Sequence, residues 1–189
     1  GTAHTLGVGI VDDEGNVLAN LNKTYVPEEG GIHPRESSRY IADNFGSALR
    51  EALDKASLSK EDIDLVSFSK GPGLWPCLTN TGVGARALGL SLNKPIMGVN
   101  HCVAHIEVGN MVARREYPDW AQPLTLYVSG ANTQIIMFKE RRYRVFGETL
   151  DIGCGNMLDK FGRGAGLAHP AGPKIEEHAS KSKNFIELP

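Results

Sequence analysis

A weak internal repeat, at an offset of 128 residues, is the feature that most restricts how this chain can fold. In both copies a loop of small residues leads into two runs of apolar and β-branched residues, the pattern of a two-stranded hairpin. Five positions match between the copies: Ala3 with Ala131, Thr5 with Thr133, Val8 with Ile136, Ile10 with Phe138, and Val17 with Val145. The repeat therefore predicts two related lobes, each of which opens with a loop and a hairpin.

Strand-like and helix-like segments alternate along the rest of the chain, which predicts the α/β class. The predicted segments are hairpins at 6–26 and 133–149, strands at 64–70, 95–99 and 123–130, a loop PEEGGIHP, and helices at 34–56, 77–93, 101–115, 154–163 and from Pro173 onward. Glycines inside the 77–93 helix lower its helix propensity, so we expect them to pack closely against another backbone. We place one lobe at residues 1–120 and the start of a second lobe at 121–189.

The two copies of the repeat differ in their surroundings. A strand, residues 123–130, precedes the loop of the second copy, whereas no strand precedes Gly1. The second lobe also stops at Pro189, soon after it begins. We therefore expect a fragment that lacks the first strand of lobe one and much of lobe two, and that is weakly active or inactive by itself.

Charge and cysteine content narrow the class of protein. The 20 Lys and Arg residues nearly balance 22 Asp and Glu, for a net charge of −2, which argues against a nucleic-acid binder that acts alone. A local basic cluster of Lys139, Arg141, Arg142 and Arg144 fits either a solvated hairpin turn or a contact with nucleic acid or a partner. Three cysteines without a CxxC pair, no apolar run near roughly 20 residues and no basic N-terminal region predict a cytoplasmic protein with reduced thiols and no membrane span.

His101 and His105 are four residues apart, and two such residues lie on the same face of a helix. Both imidazoles could bind one metal ion, or both could be surface or helix-capping residues. The spacing is that of the HExxH zinc proteases, but Cys102 stands where their glutamate acts as general base, and Glu107 points to the opposite face. Two ligands do not complete a metal site. We expect Cys102 to be a small core residue.

Residues that could complete a site lie further along the chain. Tyr127, near the end of the 123–130 strand, is either a phenolate ligand for iron or a hydrogen-bonded strand aromatic. The following loop, YVSGANTQ, offers backbone N–H groups that could cradle an anion, although it is not a Walker loop. Asp159 could line the same cleft, Gly172 predicts a turn, and Glu176 lies on the helix that follows.

Four ordered segments, NHCVAHIE, LYVSGANTQII, FGETLDIGCGNMLDKFGR and HPAGPKIEE, resemble the TsaD/Gcp family. The similarity is strongest to its archaeal and eukaryotic members, which form the catalytic subunit of the KEOPS complex, and it covers essentially the whole chain. It implies the duplicated actin/Hsp70/sugar-kinase fold, in agreement with the internal repeat. One departure is Ala131, because the family commonly has a second glycine at this position of the loop.

The resemblance implies transfer of a threonylcarbamoyl group from threonylcarbamoyl-adenylate to N6 of the adenosine next to the anticodon, in tRNAs that read codons beginning with A. It implies that His101, His105 and Tyr127 bind one divalent metal ion, iron first, with zinc or magnesium as alternatives. It places an adenylate or ATP-like nucleotide at Tyr127, Val128, Ser129, Gly130, Ala131, Asp159, Gly172 and Glu176. A further aspartate ligand and a pocket asparagine of the family have no counterpart in these 189 residues.

The partners implied by the resemblance are tRNA and other KEOPS subunits, including a small dimerising subunit and a kinase-like subunit. None of the matched residues is an obvious general base, so we expect positioning of the reactants to carry much of the rate. Two other functions stay open on the residues alone. One is a metalloprotease, suggested by the paired histidines, and the other is a nucleotide-binding assembly subunit without chemistry.

Overall fold

The computed structural model describes residues 1–27, 32–117, 119–121 and 123–187. Its strands and helices are β1 Thr5–Val11, β2 Val17–Thr24, α1 Pro34–Ala56, β3 Val66–Gly71, α2 Trp75–Leu92, β4 Ile96–Asn100, α3 His101–Glu116, β5 Leu124–Val128, β6 Thr133–Lys139, β7 Arg142–Glu148, α4 Cys154–Gly164 and α5 Gly172–Lys181. Each predicted strand and helix has a counterpart, which confirms the α/β class. The middle of the predicted loop PEEGGIHP, residues 28–31, lies outside the described residues.

The chain forms two compact units, Gly1–His105 and Ile106–Pro189. The first unit contains the antiparallel pair β1–β2 and the parallel pair β3–β4, and the second contains the antiparallel sheet β5–β6–β7. The packing boundary falls earlier than residue 120 because the second half of α3 packs on the second hairpin, where the Tyr143 hydroxyl donates to Glu107. The division into lobes at residue 120 stays a prediction.

The predicted repeat is visible in the structure as two hairpins that follow a loop. Thr5 is the first residue of β1, and Thr133, its match in the repeat, is the first residue of β6. Each of these strands pairs antiparallel with the strand that follows it. The repeat therefore corresponds to two observed hairpins, one in each unit.

Helix α1 holds the first hairpin by an apolar face. Ile41, Ala48 and Ala52 recur at helical spacing and have no exposed surface. Ile41 and Ala48 form one cluster with Leu6 and Leu21 of the hairpin. Since full burial of a Leu or Ile side chain contributes about 1.5–3 kcal/mol, this cluster ties the helix firmly to the hairpin.

The glycines of α2 create close contacts, but the expected contact with another backbone is wrong for Gly84. A Cβ atom at Gly84 would lie 2.6 Å from the ring of Phe45, and one at Gly89 would lie 2.3 Å from the side chain of Ile96. Separations below 3.0 Å are not tolerated without movement. These glycines therefore admit large apolar side chains from α1 and β4.

The three cysteines are free thiols in different surroundings. Cys77 is fully buried in the core of the first unit, and burial raises the pKa of its thiol. Cys102 is half-buried, so its predicted place as a core residue is wrong, because it lies on the first turn of α3 beside the histidines. No helix in the described part of the chain is long and apolar enough to cross a membrane.

Candidate metal and nucleotide sites

The histidine pair lies where strand β4 passes directly into helix α3. Asn100 ends β4, and its side-chain oxygen accepts a hydrogen bond from the Val103 N–H at 3.1 Å. This side-chain cap satisfies one of the N–H groups that a helix start leaves without a partner. The sequence signal for it, Asn100 just before the helix, escaped the sequence prediction. His101 is consequently the first residue of α3, and His105 lies one turn later.

The two imidazoles converge on a single point. The Nε2 atoms of His101 and His105 are 3.3 Å apart, and the ring centroids are 4.5 Å apart in an edge-to-face arrangement. Two nitrogen ligands at about 2.0–2.1 Å from a tetrahedral ion are separated by about 3.3–3.4 Å. The separation of the two nitrogens therefore matches that of two ligands for one ion, and the role of the pair as metal ligands stays a prediction. His101 Nε2 also lies 3.4 Å from the hydroxyl of Thr2.

The surroundings of His101 favour its neutral form. Burial lowers the pKa of His101, and the adjacent His105 lowers it further. Imidazole binds metal ions only in the neutral form, so the lowered pKa leaves the ring ready for a metal near neutral pH. His105 is more exposed than His101.

Further protein ligands are required to complete such a site. Among the residues that the structure describes, no three His, Cys, Asp or Glu side chains come together as a metal-binding group. Tyr127, the third predicted ligand, belongs to the second unit, whereas the histidine pair belongs to the first. Its side chain is 9% exposed, and it pairs with Gln134 across β5 and β6.

The loop after Tyr127 is docked on the N-terminus of α4. The N–H groups of Gly155 and Asn156 donate to the carbonyl oxygens of Ser129 and Gly130 at 3.1 and 3.0 Å. Gly153, just before the helix, leaves no room for a side chain, because a Cβ atom there would lie 2.5 Å from the carbonyl carbon of Ala131. The motif DIGCGN thus positions the loop by backbone contacts.

This docking decides which N–H groups could bind an anion. The Cys154 N–H donates to the Thr133 hydroxyl at 2.8 Å, so the start of α4 is already occupied by protein acceptors. Within the loop, Ser129 Oγ accepts from the Asn132 N–H at 3.0 Å. The N–H groups of Gly130 and Ala131 have no acceptor among the described residues, and both residues are exposed. The predicted anion cradle is therefore reduced to these two amides.

Asp159 is held by two contacts from the segment that leads into α5. Its Oδ1 accepts the Ala171 N–H at 2.7 Å, and its Oδ2 lies 3.2 Å from Nδ1 of His169. Asp159 and His169 are both partly exposed, with 23% and 31% of their side-chain surfaces accessible. Sequence reasoning missed His169, although it opens the quoted segment HPAGPKIEE.

The remaining predicted nucleotide residues lie on α5. Gly172 begins this helix, and open space surrounds the position that its Cβ would take. Glu176 lies one turn further and is exposed. The Ala171 contact brings Asp159 next to the start of α5, so the structure places Asp159 and Gly172 together. Val128 is 51% exposed, at the end of β5 beside the loop.

Comparisons with known proteins identify the family of the chain. A family described as "TsaD: tRNA N6-adenosine threonylcarbamoyltransferase" matches residues 16–189. The alternation of strands and helices, with a hairpin in each unit, defines an α/β chain, which agrees with the fold that the family resemblance implied. The chain belongs to the TsaD family.

Curated archaeal relatives cover the whole chain. A tRNA N6-adenosine threonylcarbamoyltransferase of Thermococcus kodakarensis is 51% identical over 189 residues, which are 56% of its length. A probable bifunctional tRNA threonylcarbamoyladenosine biosynthesis protein of Methanothermobacter thermautotrophicus is 52% identical, and the chain spans 34% of its length. Among solved structures, YeaZ from Pseudomonas aeruginosa aligns with a TM-score of 0.49 at 16% identity, over 78% of this chain and 62% of that one.

Proposed function

We propose that this chain contributes the metal-binding and nucleotide-binding parts of a tRNA N6-adenosine threonylcarbamoyltransferase. The reaction transfers the threonylcarbamoyl group of threonylcarbamoyl-adenylate to N6 of the adenosine next to the anticodon, in tRNAs that read codons beginning with A. The observation that carries the proposal is the pair of Nε2 atoms 3.3 Å apart on α3. Family membership supplies the reaction class.

In this proposal His101, His105 and Tyr127 hold one divalent ion, with iron as the first candidate and zinc or magnesium as alternatives. A bound divalent ion supplies Lewis-acid stabilisation of negative charge on phosphate or carbonyl oxygens. The convergent imidazoles support this assignment because their Nε2 atoms already have the separation of two ligands, and burial lowers the pKa of His101. The phenol oxygen of Tyr127 is the third ligand in this proposal.

The second unit binds the adenylate in this proposal. The exposed N–H groups of Gly130 and Ala131 donate to its phosphate, as oriented backbone amides commonly do. Asp159, Gly172 and Glu176 contact the nucleoside side. Because no matched residue is placed as a general base, the chain acts mainly by holding the amine and the acyl group in position.

Partner subunits are part of the same proposal, in a cytoplasmic KEOPS-type assembly. Helix α2 supports it, because three large apolar side chains on this helix are mostly exposed: Trp75 at 79%, Val83 at 59% and Leu90 at 77%. Apolar surface of this kind is typical of protein interfaces. Light scattering of the chain with a small dimerising subunit and a kinase-like subunit should detect association that Leu90→Ser weakens. A chain that stays monomeric with every subunit contradicts this part.

The metal assignment is tested by His101→Ala and His105→Ala. Each change should weaken the binding of Fe²⁺ or Zn²⁺ by about tenfold or more, and the double change should remove bound metal, because the two rings share one ion. Calorimetry and the metal content of the purified protein give the measurement. His178→Ala, an exposed histidine on α5, is the matched control. Unchanged metal content in the double variant contradicts the assignment.

The nucleotide assignment is tested at His169, a positioning residue that acts through Asp159. An asparagine side chain places its N–H near the position of imidazole Nδ1, and a glutamine side chain places it near Nε2. His169→Ala and His169→Gln should therefore weaken the binding of AMP, and His169→Asn should restore it, because the contact with Asp159 uses Nδ1. Equal AMP affinity in all three variants contradicts this role.

Transfer activity is measured separately, with tRNA, threonylcarbamoyl-adenylate, metal and partner subunits. Modified adenosine should form only when the histidine pair is intact. Cleavage of peptides that a chelator inhibits, without modification of tRNA, would instead favour the metalloprotease.

A further inference from the structure

The turn of the second hairpin has an unusual backbone for its sequence. Glu140 and Arg141 connect β6 and β7, and their φ angles are 53° and 62°. A two-residue turn with both φ angles positive is usually formed by Asn-Gly or Gly-Gly, since other side chains are crowded in this region. The chain thus has two long charged residues where local stability favours small ones.

Cations are concentrated on one face of this hairpin. Lys139 pairs with Arg142 and Met137 pairs with Arg144, so the pleat puts Lys139, Arg142 and Arg144 on the same face. Lys139 and Arg142 lie directly opposite each other, an arrangement in which like charges repel. The backbone turn and this repulsion are two separate local costs at one hairpin tip.

The opposite face of the hairpin explains why the cations point away from the rest of the unit. Phe138 and Tyr143 are cross-strand neighbours with ring centroids 5.1 Å apart. The Tyr143 hydroxyl donates to Glu107 of α3, and this face therefore packs on the helix. The cationic face is left exposed.

The cations are mostly not neutralised by the protein. Arg144 contacts the carboxylate of Glu140. Within the described ranges, Lys139, Arg141 and Arg142 have no acidic side chain within ion-pair distance. These three exposed cations therefore gain no stability from ion pairs within the described part of the chain, and they flank or occupy a turn with positive φ angles.

We propose that this basic tip, defined as Lys139, Arg141, Arg142 and Arg144, binds the phosphate backbone of the RNA substrate. The proposal rests on the proposed function, which requires the chain to engage tRNA. Guanidinium groups match phosphate geometry by donating two parallel hydrogen bonds. A chain with a net charge of −2 does not attract a polyanion as a whole, so a local cationic surface must supply the attraction.

The first test neutralises the charges in the chain with its partner subunits present. Lys139→Gln combined with Arg142→Gln should weaken binding of an unmodified tRNA transcript by about tenfold at 0.1 M salt, measured by fluorescence anisotropy. The slope of log affinity against log salt should fall by about one per phosphate contact removed. Arg35→Gln combined with Arg86→Gln, at two exposed arginines of the first unit, removes the same number of charges and is the control. An equal loss in the control overturns the proposal.

The second test separates RNA binding from folding. Arg141→Gly gives the second turn position the residue that its positive φ favours and removes one cation, so Tm should rise by a few degrees while tRNA affinity falls. A rise in both Tm and tRNA affinity, or an affinity that does not change, overturns the proposal. Loss of binding to a partner subunit with full tRNA affinity also overturns it, since the tip would then be a protein contact.

These experiments distinguish a failure of the RNA-binding proposal from a failure of the proposed reaction. If tip variants lose tRNA affinity but the unaltered protein modifies no adenosine, RNA binding stands and the proposed reaction fails. If the unaltered protein modifies tRNA and the tip variants bind and react normally, the reaction stands and the role of the tip is overturned.

Discussion

The two hairpins of the repeat are alike in sequence but are stabilised in different ways. In the first, Leu6 and Leu21 are buried against α1, and the turn is closed by Asp12, which accepts the Asn16 N–H at 2.7 Å. In the second hairpin, Val145 and Phe146 of β7 are 51% and 56% exposed. The repeated pattern sets where strands form, but the helices that cover them decide how much apolar surface each strand buries.

Polar and backbone contacts hold the second unit together where the first uses apolar burial. The Tyr143 hydroxyl on Glu107 ties the hairpin to α3, and the 129–131 loop lies on the start of α4 through backbone hydrogen bonds. Such contacts depend on geometry more than on buried area. This comparison predicts that the stability of the first unit falls when buried side-chain volume is removed. The stability of the second unit should fall when a hydrogen bond is lost or when an added atom disturbs a close backbone contact.

The largest effect is expected from Ile41→Ala in the first unit. Ile41 is fully buried, and its truncation leaves a cavity, so the free energy of unfolding should fall by about 2–5 kcal/mol. Leu126→Ala, in the exposed strand of the second unit, should change it by less than about 0.5 kcal/mol. Urea denaturation followed by circular dichroism measures both. Similar losses for the two variants would show that the two units are stabilised in the same way.

Gly153→Ala should break the docking of the 129–131 loop. The added methyl group would lie 2.5 Å from the backbone of Ala131. Only a movement of the loop can relieve such a clash with backbone atoms. The expected loss of stability is about 1–3 kcal/mol, together with weaker AMP binding. Gly109→Ala in α3 is the matched control, because nothing lies within 4 Å of its Cβ position. The control should gain up to about 1 kcal/mol from helix propensity.

The tie between the second hairpin and α3 is measurable by a double-mutant cycle of Tyr143→Phe and Glu107→Gln. A hydrogen bond to a charged acceptor contributes about 1.5–3 kcal/mol when buried, and partial exposure reduces the expected coupling to about 1 kcal/mol. Burial and the Glu107 hydrogen bond also raise the pKa of Tyr143 to about 12. An absorbance titration at alkaline pH should show this late ionisation, and Tyr143→Phe should remove it. If the effects of the two substitutions on the free energy of unfolding are strictly additive, the hydrogen bond between Tyr143 and Glu107 does not stabilise the fold.

The smallest effect is a pH dependence of the first unit. The folded state binds a proton at His101 less readily than the unfolded state, whose pKa is about 6.5, so protonation favours unfolding. This contribution to stability is complete above about pH 6.5 and is lost as pH falls toward the lowered pKa. His101→Gln should make unfolding free energy between pH 5 and 7 less dependent on pH. Parallel curves for the variant and the unaltered protein would rule out this contribution.

Much of the architecture could be predicted from local sequence. The 3.6-residue spacing of Ile41, Ala48 and Ala52 predicts α1, and the alternation in β1 and β6 predicts strands, because these periods reflect one buried face. The i, i+4 spacing of His101 and His105 is likewise a local property of a helix, so their convergence followed directly. The observed start of α2, Trp75, lies only two residues before the predicted start at Cys77, because Pro76 is tolerated in the first turn of a helix.

Other features could not be predicted from local sequence patterns, because they depend on the tertiary structure. The partners of Gly84, the contact of His169 with Asp159, and the occupation of the start of α4 by Thr133 join residues from different elements. Their distances depend on how helices and strands pack, and side chains far apart in sequence leave no periodic signal. The sequence by itself therefore determined the elements, the repeat and the histidine pair. Packing alone determined which amides stay exposed at the loop and which cations stay exposed on the second hairpin, because both depend on what other elements cover.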